Sequence, residues 1–264
     1  MDFEDITYEK PWAMDGAARI MINRPALYNA FRGKTALELK QAFEDVGFDN
    51  SVGVVVLTGA GDKAFCTGGD ATDVVPGKAG YSPEMVHIID VHRAIREAPK
   101  PVIAAVNGFA IGGGNVLVTV CDLAIASETA KLGQVGPRVG SYDAGFGSTY
   151  LARVIGEKRA REMWFLCWQY TAQEAYQMGL VNKVVPPDKL EEEVKKWCER
   201  ILAMSPTALR QLKASFNLFT DMVYGVEAMA MNSLWQYYGS DEAMEGRAAY
   251  LEKRPPDWTK FRAP

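Results

Sequence analysis

Cysteine and histidine are scarce in this sequence, which limits both disulfide and metal chemistry. There are four cysteines and two histidines in 264 residues. No two cysteines form a CxxC pair and no histidine lies near one at zinc spacing, so no metal site is expected. A chain of this length buries about three quarters of its unfolded surface and needs no disulfide to hold a core. The acidic start, Met-Asp-Phe-Glu-Asp, lacks the pattern of a secretory signal, and we expect a cytoplasmic protein with reduced thiols.

Strong positive charge is also missing. The net charge is −4, so the chain has no basic field for DNA or RNA, although a local patch could hold one phosphate. Residues 101–121 carry no charge and have the length of a membrane helix. However, Gly112, Gly113 and Gly114 would each cost about 1 kcal/mol inside a helix. We therefore expect a buried strand, a glycine turn and a buried helix there, and no membrane partner.

The pattern of apolar residues indicates an α/β fold. It predicts strands at 17–23, 52–58, 101–106, 123–126 and 181–185. It predicts helices at 35–46, 86–98, 114–121, 149–155, 158–167, 172–178, 190–204, 206–217 and 222–238. Strands and helices alternate in the first half, which is typical of an α/β core, and helices dominate after residue 147. We place the core at residues 1–200 and a helical region at 201–264.

Two glycine clusters follow apolar strands and are the first candidates for chemistry. They span Ala64–Asp70 and Gly108–Asn115. Glycine lets the backbone approach a ligand closely, and a helix N-terminus adds a positive dipole end. Two N–H groups that converge on one carbonyl oxygen form an oxyanion hole, worth roughly 3–4 kcal/mol per donor. A tight turn explains either cluster taken alone, and neither has a nucleotide-binding spacing.

Taken together, the motifs resemble those of the crotonase (enoyl-CoA hydratase/isomerase) superfamily over nearly the whole chain. They are Asn23-Arg-Pro25 with Asn29-Ala30, Phe65–Asp70, Lys100-Pro-Val102, Gly112–Gly114 and Cys121-Asp-Leu123. The resemblance implies a crotonase-like spiral of ββα units with a C-terminal helical layer, in which residues 201–264 form trimers. It implies a homotrimer or homohexamer acting on acyl-CoA thioesters. It also implies that the N–H groups of Gly69 and Gly113 hold the thioester oxygen as an enolate forms.

The position of acidic residues argues against the common reaction of this superfamily. Hydratases place glutamates at the positions of Val116 and Gly136, and neither residue here can titrate. Asp143 is the replacement candidate for acid–base catalysis, with Ser141 as a hydrogen-bonding neighbour. The alternative for Asp143 is a cap on the helix that follows Gly145.

Residues 133–143 are similar to one branch of the superfamily, which contains 2-ketocyclohexanecarboxyl-CoA hydrolase and 1,4-dihydroxy-2-naphthoyl-CoA synthase. Residues 160–167 and 254–258 are closer to the synthase, whereas residues 30–33, 65–67, 114–116 and 134–137 are closer to the hydrolase. Residues 71–78 lack the glutamine and the early basic residue of a synthase flap. In this branch Tyr238, from its own or a neighbouring subunit, would donate to a second carbonyl. An aromatic core helix is the alternative for Tyr238, and Tyr142 is a weaker candidate.

The resemblance also assigns residues to the coenzyme A part of the substrate. Lys253 and Arg254 would approach its phosphates, and a solvated tail is the alternative. The other expected contacts are Leu27, Tyr28 and Ala30 on the adenine side and Thr67, Gly68 and Asp70 beside the first glycine cluster. His87 and His92 are five residues apart, which suits no common helical metal pair, and receive no role.

These observations predict a hydrolase that opens the ring of a cyclic β-ketoacyl-CoA by C–C cleavage. It would need no cofactor, since coenzyme A is part of the substrate. One alternative is the ring-closing synthase, in which Gly136 leaves room for bicarbonate as a base. Another is a non-catalytic member that binds acyl-CoA or RNA, and the acidic net charge argues against RNA.

Overall fold

The computed structural model describes residues 2–73, 85, 87–220 and 222–262. Six strands form the larger sheet in the order β1 (Ile6–Glu9), β2 (Ala17–Ile22), β3 (Val54–Gly59), β5 (Val102–Val106), β7 (Leu123–Ser127) and β10 (Lys183–Val185). Four short strands form a second sheet in the order β4 (Ala64–Cys66), β6 (Phe109–Ile111), β8 (Lys131–Gly133) and β9 (Gln169–Thr171). Pairing is parallel except between β1 and β2 and between β8 and β9.

Ten helices accompany the two sheets in the described part of the chain. They are α1 (Gly33–Phe48), α2 (His87–Glu97), α3 (Gly113–Val120), α4 (Leu151–Ile155), α5 (Glu157–Leu166), α6 (Ala172–Met178), α7 (Leu190–Leu202), α8 (Pro206–Leu218), α9 (Met222–Tyr237) and α10 (Asp241–Glu252). The central strands β3 and β5 are nearly continuous runs of buried apolar residues, because a parallel sheet is covered on both faces. The chain repeatedly passes from a strand of the large sheet to one of the small sheet and on to a helix, which is the expected crotonase-like α/β spiral.

The small sheet brings the two glycine clusters together. Ala64 pairs with Phe109 and Cys66 with Ala110 in a parallel register, so β4 and β6 end at the same edge. The loops that leave this edge contain Gly68–Asp70 and Gly112–Gly114. A short parallel sheet therefore places both candidate N–H donors at one end of two adjacent strands.

Most predicted elements are present, and the differences lie at short strands and one helix. The strands β1, β4, β6, β8 and β9 and the helix α10 were not predicted, and the expected glycine turn before α3 contains β6. The helix predicted at 149–155 begins with a π-helical turn, Phe146–Tyr150, before α4. Among the described residues no helix is long and apolar enough to cross a membrane, and residues 101–121 form β5, β6 and α3. Most of the flap expected at 71–85 lies outside the described residues.

The C-terminal helices follow the end of α7 at Leu202. Ser205 caps α8 by accepting a hydrogen bond from the Ala208 N–H, with Pro206 in the first turn. Gly179 ends α6 in the left-handed conformation. The role of residues 201–264 in trimer formation stays a prediction.

Candidate active site

Phe31 connects the two glycine loops. Its N–H donates to the Gly68 carbonyl at 2.9 Å, and its carbonyl accepts from the Asp70 N–H at 2.8 Å. Its ring also fills the space beside Gly113, where a Cβ would lie 2.7 Å from the ring. A Cβ on Gly68, whose φ is +87°, would lie 3.0 Å from the Gly113 nitrogen. The two loops are therefore in contact, and neither glycine can be replaced without displacing the other loop or Phe31.

The amides of Gly69 and Gly113 are the candidate oxyanion donors. Neither donates a hydrogen bond to an acceptor in the described part of the chain. Gly113 is the first residue of α3, so its N–H also lies at the positive end of that helix. Free N–H groups on touching loops have the chemistry needed to hold a developing negative oxygen.

Asp143 lies on the loop between β8 and the π-helical turn and is half-buried. Its Oδ1 accepts a hydrogen bond from the Gly145 N–H at 2.7 Å. This bond stabilises the turn before the π-helical segment, which begins after Gly145 without a side-chain cap, so Asp143 is not the helix cap considered as the alternative. The carboxylate also lies against Gly147, where a Cβ would come within 2.7 Å of Oδ2. The loop is packed between two C-terminal helices, because Gly140 touches Ala243 of α10 and Gly145 touches Glu227 of α9.

Ser141 and Tyr238 are brought together across 97 residues. Their hydroxyl groups are 2.8 Å apart, and either one can donate. The Tyr238 side chain is 7% exposed and packs edge-on against Trp235. Tyr238 therefore belongs to an aromatic cluster, and its hydroxyl also reaches the loop that contains Asp143; its donation to a substrate carbonyl stays a prediction. Tyr142 instead bonds Ser233 through its hydroxyl at 2.6 Å.

The structure shows three polar residues at the cavity that the sequence left without a role. The His92 Nδ1 lies 3.0 Å from Oε1 of Glu227, and both side chains are buried. The side-chain amide of Gln134 is also buried and has no partner among the described residues. One sequence signal was available for Glu227, because it is the only charged residue in α9.

The residues expected near coenzyme A differ in their exposure and in their polar partners. Leu27 and Tyr28 are exposed, and the Thr67 hydroxyl donates to the Tyr28 carbonyl at 3.2 Å. Lys253 ends α10 in the left-handed conformation, and Arg254 pairs with Glu245 and Glu252. The charge of Arg254 is therefore shared with two carboxylates of the chain.

Asp70 has a structural partner at this site. Arg24 donates to its Oδ2 at 2.8 Å. Burial raises the pKa of Asp70, but hydrogen bonds from Thr72 and Arg24 outweigh burial and leave that pKa below its usual value. Burial raises the pKa of the nearby Cys66 thiol to about 12, so this cysteine is unreactive at neutral pH.

A single cavity of about 1190 Å³ connects these groups. This volume exceeds that of ordinary small-molecule pockets, roughly 300–1,000 Å³, and suits a large ligand. Val116, Gly136, Gln134, His92 and Glu227 contribute to its wall. So does every residue predicted for the site: Leu27, Tyr28, Ala30, Thr67, Gly68, Gly69, Asp70, Gly113, Ser141, Asp143, Tyr238, Lys253 and Arg254. Within the described ranges, no three His, Cys, Asp or Glu residues cluster as a metal site.

Comparisons with known proteins agree with this fold and cavity. A family model described as enoyl-CoA hydratase/isomerase matches residues 13–261. An enoyl-CoA hydratase from Mycobacterium avium subsp. paratuberculosis K-10 is 28% identical and superposes with a TM-score of 0.84, covering 98% of this chain and 100% of that one. An enoyl-CoA hydratase from Bacillus anthracis is 32% identical, with a TM-score of 0.73 and coverage of 96% and 98%.

A monofunctional enoyl-CoA isomerase from M. smegmatis is also 32% identical, with a TM-score of 0.71, and the match covers 82% of this chain and 94% of that one. The fold and the cavity define an α/β enzyme of the crotonase superfamily. The chain belongs to the enoyl-CoA hydratase/isomerase family, whose members process acyl-CoA thioesters.

Proposed function

We propose that this enzyme opens the ring of a cyclic β-ketoacyl-CoA by hydrolysing a C–C bond. The observation that carries the proposal is the composition of the cavity wall. The Gly69 and Gly113 amides, the Asp143 carboxylate and the Ser141–Tyr238 pair all border one space. Val116 and Gly136 border the same space and have no acid–base group, which argues against simple hydration of an enoyl-CoA at those positions.

After an acyl-CoA has bound, each of these groups has a role in the proposed reaction. Asp143 activates a water, whose oxygen bonds to the carbon of the ring ketone. The bond between that carbon and the α-carbon breaks, and its electron pair forms a thioester enolate. The Gly69 and Gly113 N–H groups stabilise the enolate oxygen. Asp143 or Tyr238 then protonates the α-carbon, and the product is a ring-opened acyl-CoA with a terminal carboxylate.

The direct test is incubation of the enzyme with 2-ketocyclohexanecarboxyl-CoA and related bicyclic thioesters, followed by mass spectrometry. We expect products that have gained one water. Asp143→Asn should lower kcat by about 100-fold or more, because general acid–base catalysis contributes roughly 10²–10⁴-fold. Hydration of crotonyl-CoA without ring opening across the set would reject the proposal.

The ring-closing naphthoyl-CoA synthase is a second candidate, and the buried amide of Gln134 favours it. A bicarbonate base would be held there by this amide. In this candidate Gly136, which borders the same cavity and has no carboxylate side chain, would leave room for the bicarbonate. Conversion of succinylbenzoyl-CoA to a naphthoyl product, with a rate that rises on adding bicarbonate, would establish this activity.

Binding without turnover is the candidate from another functional class. Such a protein would bind CoA thioesters with an affinity unchanged by Asp143→Asn and would convert none of the substrates above. Calorimetry with a non-reactive acyl-CoA measures that affinity.

Lys253 is proposed to bind a coenzyme A phosphate more strongly than Arg254 does. Arg254 already pairs with two carboxylates, whereas Lys253 borders the cavity beside it. Lys253→Gln should raise KM for acyl-CoA several-fold and leave kcat nearly unchanged, because the contact is far from the reacting atoms. Lys189→Gln on the surface is the matched control, and an unchanged KM for K253Q would contradict the assignment.

A further inference from the structure

The buried pair of His92 and Glu227 lies at the cavity without a structural explanation. His92 is on α2 and Glu227 on α9, and their side chains are each 5% exposed. His92 Nε2 and Glu227 Oε2 have no hydrogen-bond partner among the described residues. Buried polar atoms are normally hydrogen-bonded, so these two atoms are left for a water or another polar group in the cavity to satisfy.

The pair lies close to Asp143. Glu227 packs against Gly145, where a Cβ would be 3.0 Å from Glu227 Cγ. The N–H of this same Gly145 donates to Asp143. The Phe146 ring, next along the chain, contacts the His92 ring edge to face with the centroids 6.1 Å apart. The histidine, the glutamate and Asp143 are therefore held by neighbouring residues of one loop.

The hydrogen bond within the pair decides which nitrogen of His92 is available. Because a carboxylate oxygen only accepts, the neutral imidazole that fits this contact donates from Nδ1 to Glu227 and carries its lone pair on Nε2. The surrounding charged and titratable groups are Arg93 and Arg96 on α2, Tyr224 on α9, Tyr150 and Asp143. Arg93 Nε is 3.8 Å from Glu227 Oε2 and partly balances the carboxylate.

We propose that His92, oriented by Glu227, is a second acid–base group of this active site and accepts the proton of the attacking water. This inference rests on the proposed ring opening. It assigns removal of the water proton to His92 and protonation of the α-carbon to Asp143. Nε2 takes one proton from water while the water oxygen bonds to the ring-ketone carbon. The C–C electron pair passes to the thioester enolate. The His92 imidazolium passes this proton to the Asp143 carboxylate, which delivers it to the α-carbon, so that one water is consumed in total.

The chain contains its own matched control, because its other histidine lies elsewhere. His87 pairs with Asp90 at 3.1 Å and does not border the cavity. The experiment measures two rates for each variant. One is ring opening of 2-ketocyclohexanecarboxyl-CoA, and the other is exchange of the α-hydrogen of the ring-opened product in D₂O, which needs the enolate and Asp143 but no attacking water.

We expect His92→Gln to lose about 100-fold or more in kcat for ring opening, as for loss of a general base, and to keep the exchange rate. Glu227→Gln should likewise slow ring opening and keep the exchange rate, Asp143→Asn should lose both, and His87→Gln should keep both. Retained exchange also shows that H92Q is folded. Normal ring opening by H92Q would overturn the inference, and so would loss of both rates in equal proportion. If the wild type opens no ring, the proposed function itself fails, and this inference fails with it.

Nitrogen NMR gives a readout that does not depend on turnover. With His87→Gln removing the only other histidine signal, the remaining imidazole should carry its proton on Nδ1, and Glu227→Gln should weaken that preference. A proton fixed on Nε2 in the unliganded enzyme would contradict the proposed base.

Discussion

At the scale of single residues, glycine controls where the carboxylate of Asp143, the proposed acid–base group, lies. Asp143 is held from one side by the Gly145 N–H and lies against Gly147 on the other. The carboxylate has its present position only because residue 147 has no side chain. Adding a methyl group at Gly147, which has no side chain of its own, can therefore test the role of Asp143.

Gly147→Ala should displace the Asp143 carboxylate, because the new Cβ would lie 2.7 Å from its Cγ and Oδ2. We expect ring opening to fall by about 100-fold, the usual cost of a misplacement near 1 Å, with KM little changed. Gly225→Ala is the control, since nothing lies within 4 Å of a Cβ there. Steady-state kinetics measure both variants, and full activity of G147A would show that Asp143 is not used where it lies.

Asp5 gives a prediction for stability against pH. Burial raises the pKa of Asp5, but hydrogen bonds from Arg32 and Thr35 outweigh burial and leave the pKa below its usual value. A carboxyl group with a lowered pKa stabilises the fold fully above its pKa in the unfolded chain, near 4, and this stabilisation is lost as the pH falls through the folded-state pKa.

Asp5→Asn should therefore lower the free energy of unfolding by about 2 kcal/mol at pH 7, a typical value for hydrogen bonds to a charged group. The difference between wild type and variant should shrink as the pH falls below about 4. Urea unfolding at several pH values measures it. A stability difference between wild type and Asp5→Asn that grows as the pH falls would contradict a lowered pKa of Asp5 in the folded protein.

At the scale of elements, α8 is attached to the core by polar contacts. Lys213 is its one buried residue and donates to the carbonyls of Ile95 and Lys100 and to Asp122. Burial lowers the pKa of Lys213 and raises that of Asp122, because both charged forms lose water. The contact is favourable only while both partners are present.

Lys213→Met should destabilise the protein by about 3 kcal/mol, because it leaves the carboxylate of Asp122 without its cation. Lys189→Met removes an exposed pair with Glu192 and should cost under about 1 kcal/mol. Thermal and urea unfolding compare the two. Equal stabilities would show that α8 is held by something other than Lys213.

At the scale of the whole molecule, the outer face of α8 is apolar. Leu212, Phe216 and Phe219 recur at helical spacing on one side and are 52%, 74% and 72% exposed. A helix that buries a lysine and exposes phenylalanines is suited to contact another chain. We therefore propose that α8 contributes to a homotrimer, alone or paired into a hexamer.

Light scattering of the wild type should give a molar mass three or six times that of one chain. Phe216→Asp should give smaller species, because burying a charge in an apolar interface is costly. Phe48→Asp, at an 88% exposed position on α1, should leave the mass unchanged. A monomeric wild type would contradict the proposal and would also remove any need for Tyr238 to act in a neighbouring subunit.

The sequence identified those candidate site residues that belong to short motifs, and it missed those that meet only through packing. Each glycine cluster is a short local motif, and so is the Ser141–Asp143 segment; the resemblance of these motifs to one superfamily implied a shared site, and all of them border one cavity. The motif Asn23-Arg-Pro25 with Asn29 proves to be structural, since the Asn29 amide donates to the carbonyls of Ala60 and Ala64. The short strands of the second sheet were missed because runs of three residues carry too little periodicity.

The sequence by itself determined the α/β class and the two glycine turns, because glycine, proline and apolar periodicity act within a few residues. The family followed from the resemblance of its motifs to those of known proteins. Only the tertiary structure decided that His92 meets Glu227, 135 residues away, and that Ser141 meets Tyr238. No local pattern encodes such pairs, because the position of a side chain at this separation depends on how whole helices pack. The resemblance in the sequence points to the amides that would hold an oxyanion, whereas the proposed second proton acceptor follows from the packing of α9 against the loop that contains Asp143.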